Sequence, residues 1–245
     1  MNRRLTNQIA QLYFAPTEIS RRCLAQENIT ENVFVTGNTV VDAVARDVRD
    51  SYVFHDPVMR RVYPSGRRCI LITAHRRENL GTPLRAICRE IRSLAEALPE
   101  FALLYPVHPN PAVREPVEAL LHGVPNVYLL PPVDVTDMHN AIARSFLVLT
   151  DSGGLQEEAC ACHIPVLVMR TETERTEGVE AGMVRLVGNG AGIADAVLAL
   201  VRDEAAYRAM LLAENPFGDG HASERIVECL LKWYACRRRA ESACG

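Results

Sequence analysis

From residue 69 onward, short apolar runs alternate with amphipathic spacers, and this alternation leaves few folds open. Cys69-Ile70-Leu71-Ile72-Thr73 reads as a strand buried on both faces, and Leu84, Ile87, Cys88, Ile91, Leu94 and Leu98 then recur at helical spacing. Phe101–Tyr105 is the next strand, followed by the helical set Val113, Val117, Leu120 and Leu121. Val127–Leu130, Phe146–Thr150, Val166–Met169 and the short Arg185–Val187 continue the series. Strands apolar on both faces, with spacers of about 10–15 residues, predict a parallel sheet covered by helices. Right-handed crossovers make this a doubly wound α/β domain of about six strands.

The first part of the chain has a different texture. Leu12–Ala15 and Val33–Thr36 read as strands, with a helix from Thr17 through Leu24 between them. Two strands and a helix cannot form a sheet that stands alone. They are expected to be the end of a preceding α/β domain, so residues 1–53 form that remnant and the connection, with Val40–Val53 helical. Residues 54–220 are then the complete domain, entered through a linker at Phe54–Arg68 marked by Pro57, Pro64 and Gly66. Residues 221–245 begin with helical spacing in Ile226, Leu230 and Trp233.

Composition narrows the partners. Lys+Arg 27 against Asp+Glu 30 gives a net charge of −3, without the basic excess of a nucleic-acid binder. Arg237-Arg238-Arg239 reads as a solvated helix end. The eight cysteines form no C-x-x-C pair, and Cys160-Ala-Cys162-His163 lacks a second ligand pair at zinc spacing, so buried reduced thiols and no metal are expected. No apolar stretch approaches about 18 residues, and no apolar core of a signal peptide follows Arg3-Arg4. A soluble, cytoplasmic protein without membrane partners is expected.

Three strand ends carry the chemistry. Thr73-Ala74-His75-Arg76-Arg77-Glu78-Asn79 follows the first strand of the main domain, where open α/β sheets bind ligands. One imidazole and two guanidiniums there could hold a phosphate or protonate a leaving group; a plain solvated loop is the alternative. Asp151-Ser152-Gly153-Gly154 opens a helix directly after a strand, and its glycines let the backbone approach an anion. Glu158, one turn along, could accept from ribose hydroxyls; a simple cap and tight turn is the alternative. The run Arg170–Glu177 could add Arg175 to the same ligand. His108 follows another strand in a Pro-rich loop, where a structural role is equally open. Gly188-Asn189-Gly190-Ala191-Gly192 reads as a helix start, not a dinucleotide loop. His55, His122, His139 and His163 have no partners that sequence can name.

Taken together, these stretches resemble the non-hydrolysing UDP-N-acetylglucosamine 2-epimerase family, whose members have two Rossmann-like halves of the GT-B type. The matching segments are Phe14–Glu18, Thr36–Ala43, Thr73–Asn79, Tyr105–Pro111, Asp151–Glu158, Thr173–Gly178 and Asn215–Gly220, in family order. The resemblance implies anti elimination of UDP to 2-acetamidoglucal and re-addition with C2 inverted, with no cofactor and no metal. It places His75 at the leaving group, and Ser152, Gly153 and Gly154 on the pyrophosphate. Glu158 falls on the ribose, Arg175 on the phosphates, and Met138 where members usually carry an aromatic near uracil. Arg76 and His108 match positions that help hold a second, regulatory UDP-sugar. In GT-B proteins the last helix crosses back to the first half, which is the place implied for residues 221–245.

The sequence departs from the family in one large respect. The Gly-Thr-Arg-Pro-Glu loop and the acids that move the C2 proton have no counterpart, and Met1-Asn2-Arg3 matches the region just after them. The expected function is therefore UDP-N-acetylglucosamine 2-epimerase, serving cell-surface polysaccharide synthesis, incomplete in this chain. A non-catalytic UDP-sugar-binding or assembly module is the alternative, and half of another GT-B glycosyltransferase a third. A homodimer or a separately encoded N-terminal half is the expected protein partner, and residues 1–50 are expected to be the least protected.

Overall fold

The structure, a computed structural model, describes residues 2–243, which fall into two compact units, 2–45 with 217–243 and 46–216. In the first unit, helix α1 (Asn2–Ile9) precedes strand β1 (Tyr13–Ala15), helix α2 (Glu18–Gln26), strand β2 (Val33–Val35) and helix α3 (Thr39–Asp47). β1 and β2 pair in parallel, with Phe14 opposite Phe34 and their rings stacked at 6.1 Å. Thr17 sits just outside α2 as its cap, accepting from the Ser20 amide, which satisfies one of the orphan donors of a helix start.

The second unit is the doubly wound domain. A short helix α4 (Pro57–Val62) leads into β3 (Cys69–Thr73), α5 (Thr82–Ala97), β4 (Ala102–Pro106), α6 (Pro111–Leu121) and β5 (Val127–Leu130). Then come α7 (Val135–Ala143), β6 (Leu147–Thr150), α8 (Gly153–Ala161), β7 (Val166–Val168), α9 (Thr176–Glu180), β8 (Val184–Leu186), α10 (Ile193–Arg202) and α11 (Glu204–Leu211). The six strands are all parallel, in the order β5-β4-β3-β6-β7-β8. Counted within the sheet this is 3-2-1-4-5-6, so the order reverses between β3 and β6. Every residue of β3 and β4 is buried, as a sheet covered on both faces requires. On α5, Leu84, Ile87, Cys88, Ile91, Leu94 and Ala95 make the buried stripe.

Two connections differ from the sequence expectation. The helix expected over Val40–Val53 stops at Asp47, because tertiary bonds hold residues 48–56 in irregular form: Asp137 accepts from Tyr52 Oη at 2.7 Å and from the amides of His55 and Asp56 at 2.9 and 2.8 Å. The stretch expected as a linker, Phe54–Arg68, instead contains α4, capped by Asp56 and opened by Pro57.

The chain returns to the first unit with helix α12 (Ala222–Ala243). Asp42 accepts from the amides of Ala222 and Ser223 at 3.2 and 2.7 Å, capping α12 from α3. Gly37 and Gly218, both at positive φ, allow the backbones to meet there; a methyl on Gly218 would lie 3.2 Å from the Gly37 Cα. Along α12 the half-buried apolar residues are Ile226, Cys229 and Trp233, whereas Leu230 is exposed. Among the described residues no helix is long and apolar enough to cross a membrane.

Candidate nucleotide site at the sheet's switch point

The reversal of strand order puts the ends of β3 and β6 side by side with their following loops diverging, the position where open α/β sheets bind ligands. Thr73 and Thr150, in register as the last residues of these strands, join hydroxyls at 2.7 Å. Beyond them lies Asp151, fully buried. Its carboxylate accepts from the amides of His75 (2.9 Å) and Arg76 (2.8 Å) and from Asn79 Nδ2 (2.9 Å). Asn79 also donates to the Met169 carbonyl, so one buried amide fixes the loop after β3 against the end of β7. The His75 ring lies with Nδ1 3.7 Å from Asp151 Oδ1 and stacks on His108, centroids 5.4 Å apart and planes at 11°.

Helix α8 begins at the same place. Ser152 occupies its N-cap position and makes no side-chain capping bond, leaving the first-turn amides available to an anion. Two guanidiniums converge on this helix start: a methyl on Gly153 would lie 3.4 Å from both Arg175 Cζ and Arg76 Nη2. Each cation has a carboxylate beside it, Arg175 with Glu157 at 2.7 Å and Arg76 with Glu174 at 3.4 Å. Such pairs orient the arginines without cancelling their attraction for a diphosphate.

The loop after β7 is tied to α8 by a hydrogen-bond chain. Gln156 donates to the Ser152 carbonyl (3.1 Å), Thr173 donates to Gln156 Oε1 (2.8 Å), and the Arg175 amide donates to Thr173 Oγ1 (3.1 Å). Behind it, the buried Arg170 pairs with Glu78 at 2.5 Å and Glu174 at 3.0 Å, joining this loop to the one after β3. The bonds from Arg170 hold the Glu174 carboxyl well down, to about 2.

Glu158 lies one turn into α8, where burial raises its carboxyl; the His139 charge opposes that rise and neighbouring Glu157 adds to it. Its Oε1 would be 3.7 Å from a methyl on Gly154. Met138 is half-buried on α7, and His108 is exposed, its Nδ1 accepting from the Asn110 amide at 3.1 Å.

His75, Arg76, Gly153 and Arg175 are thus brought together, with His108 stacked on His75 and Glu158 on the helix behind. Sequence reasoning missed the residues that hold them: Asp151 as the anchor, Asn79, Gln156, Thr173 and Arg170, and the buried His139 with Asp47. Asp151 and Gln156 lay in the stretch with the glycine signal, whereas the contacts of Asn79 with Asp151, Arg170 with Glu78 and His139 with Asp47 each join residues far apart in the chain. His55, also without a partner in the sequence reading, pairs with Asp134 at 2.7 Å.

A family model for UDP-N-acetylglucosamine 2-epimerase matches residues 1–231. The chain belongs to the UDP-N-acetylglucosamine 2-epimerase family. A relative from Thermotoga maritima is 48% identical over 245 residues, covering 100% of this chain and 65% of its own. The UDP-N-acetylglucosamine 2-epimerase of Bacillus subtilis is 45% identical, covering 97% of this chain and 62% of its own. Among solved structures, that of S. aureus MnaA with UDP superposes with a TM-score of 0.88 at 43% identity, over 96% of this chain and 63% of that one. The Neisseria meningitidis UDP-GlcNAc 2-epimerase bound to UDP-GlcNAc gives 0.87 at 42%, over 94% and 64%. The α/β fold is therefore that of the GT-B epimerases, and the chain spans somewhat less than two thirds of the length of these epimerase relatives.

Proposed function

We propose that this chain binds the uridine diphosphate of a UDP-sugar at the carboxyl ends of β3 and β6, and that the protein is a UDP-N-acetylglucosamine 2-epimerase. The observation that carries this is the convergence of Arg76 and Arg175 on the open amide end of α8. Elimination breaks the C1–O bond and leaves added negative charge on UDP. Donors fixed beforehand at that spot stabilise this charge more than that of the bound substrate.

The geometry suggests a role for each residue. Ser152, Gly153 and Gly154 take the pyrophosphate with Arg175, Glu158 accepts from the ribose, and Met138 packs toward the base. His75 delivers a proton to, or shares one with, the departing phosphate oxygen, and takes it back on re-addition. Arg76 and His108 contact a second, regulatory UDP-sugar; because Arg76 also reaches Gly153, it would lie between the two nucleotides. The carboxylates that exchange the C2 proton come from a separately encoded N-terminal half or another part of the protein, acting as a homodimer in the cytoplasm and supplying surface polysaccharide synthesis. Support for a further part of the protein is the share of the relatives' length that the chain spans.

Deuterium oxide gives the test. With the carboxylate-bearing part of the protein present, elimination and re-addition should place deuterium at C2 of UDP-N-acetylglucosamine, and His75→Asn should slow this by about 10²–10⁴-fold. Incorporation at an unchanged rate in the variant would remove His75 from the reaction. The isolated chain is expected to bind UDP without exchange.

A further inference from the structure

His139 is buried, 2% exposed, with a carboxylate at each ring nitrogen: Nδ1 lies 3.0 Å from Asp47 Oδ2, and Nε2 lies 3.9 Å from Glu158 Oε2. We propose that Asp47 and His139 form a positioning pair that aims the Glu158 carboxylate at the ribose hydroxyls, and so sets the preference of this site for ribonucleotides over deoxyribonucleotides. The proposal rests on the UDP site described above.

Asp47 is itself held: Oδ1 accepts from Arg46 Nε at 3.1 Å, and its carbonyl accepts from Asn140 Nδ2 at 2.9 Å. Bonding Nδ1 to a fixed carboxylate sets the ring plane, so Nε2 faces Glu158 in one direction. Glu158 then has one oxygen toward the imidazole, while Oε1 is the oxygen near Gly154 at the start of α8. The neighbouring Glu157 is turned to Arg175, so it does not compete for the imidazole. A purely structural role is already filled by other bonds. The same segment is fastened to α7 by Arg49 N donating to Asn140 Oδ1 at 3.2 Å and by Arg144 donating to the carbonyls of Arg49 and Asp50.

A carboxylate fixed in this way can accept from two neighbouring hydroxyls, and removing one leaves an ionised oxygen unmet. Calorimetry with UDP and 2′-deoxy-UDP tests this on the wild type, His139→Asn and His139→Gln. The wild type should bind UDP about tenfold or more tighter than the deoxy form. His139→Asn, whose amide can meet Asp47 but is too short for Glu158, should bring that ratio below about threefold. His139→Gln, which keeps a nitrogen at the Nε2 position, should restore most of it. Asp47→Asn should give an intermediate ratio and serves if His139→Asn does not fold. A His139→Asn or Asp47→Asn protein that binds UDP with the wild-type ratio would overturn the pair's role. A wild type that binds no UDP would overturn the site itself.

Discussion

Asp151 shows how one residue can hold a binding loop. A buried carboxylate carries a desolvation cost of several kcal/mol, which is offset only when its oxygens are well met. Here two backbone amides and the Asn79 side chain meet them. Asp151→Ala would leave these donors facing a gap, and denaturant melts should show a loss of about 2–5 kcal/mol. Glu174 supplies a pH signature. Arg170 holds its carboxyl down to about 2, so the contribution is present above the unfolded value of about 4.3 and is lost as pH falls through about 2. The side chain is 55% exposed, so screening keeps the effect small. Glu174→Gln should lose less stability than the wild type between about pH 4.5 and 2 in acid melts. His75, Arg175 and the Ser-Gly-Gly turn were legible because each sits at a strand end beside a recognisable signal. His139 and Asp47 were not, since residues 92 apart share a buried contact that no local pattern announces.

Among the elements, α8 opens the proposed UDP site and α7 packs behind it. Gly153 does not sit at positive φ, and a methyl there makes only ordinary contacts at 3.4 Å. Gly153→Ala should therefore keep or slightly raise stability, by up to about 1 kcal/mol, while weakening UDP severalfold because the methyl stands between the arginines. Melting and calorimetry on the same sample separate the two effects. Gly178 is the opposite case: a methyl would meet Val184 Cγ2 at 2.7 Å inside the packing of α9 on β8. Gly178→Ala should cost about 1–3 kcal/mol by melting, with overpacking as the cause. The main strands were legible to within a residue, because an apolar run buried on both faces has no other place to go. Helix α4 carries a local start signal in Asp56-Pro57, yet Pro57, Pro64 and Gly66 together read as a linker. The irregular stretch before it was hidden because Asp137, far along the chain, holds it.

At the scale of the whole molecule, the two units differ in how much apolar surface each encloses. Residues 46–216 enclose four central strands, β3, β4, β6 and β7, buried at every residue, whereas the buried apolar residues described in the other unit are Ala15, Val41, Val44, Phe217 and Ala222. Hydrogen exchange should find the amides of β3, β4 and β6 slowest and those of β1 and β2 much faster. Equal protection of both would contradict that difference. The order of the six strands was foreseeable in class, yet not in detail, since apolar runs reveal a parallel sheet without saying which strands are neighbours. Once the order is known, the switch point between β3 and β6 is the place where open α/β sheets bind ligands, and the proposed site lies there. Calorimetry of UDP against the wild type and Arg175→Ala tests that location most directly. Binding should be weak but measurable in the wild type and about tenfold weaker in the variant, the size expected for one charge-assisted contact to phosphate. Equal affinities in the two proteins would contradict the site at the start of α8.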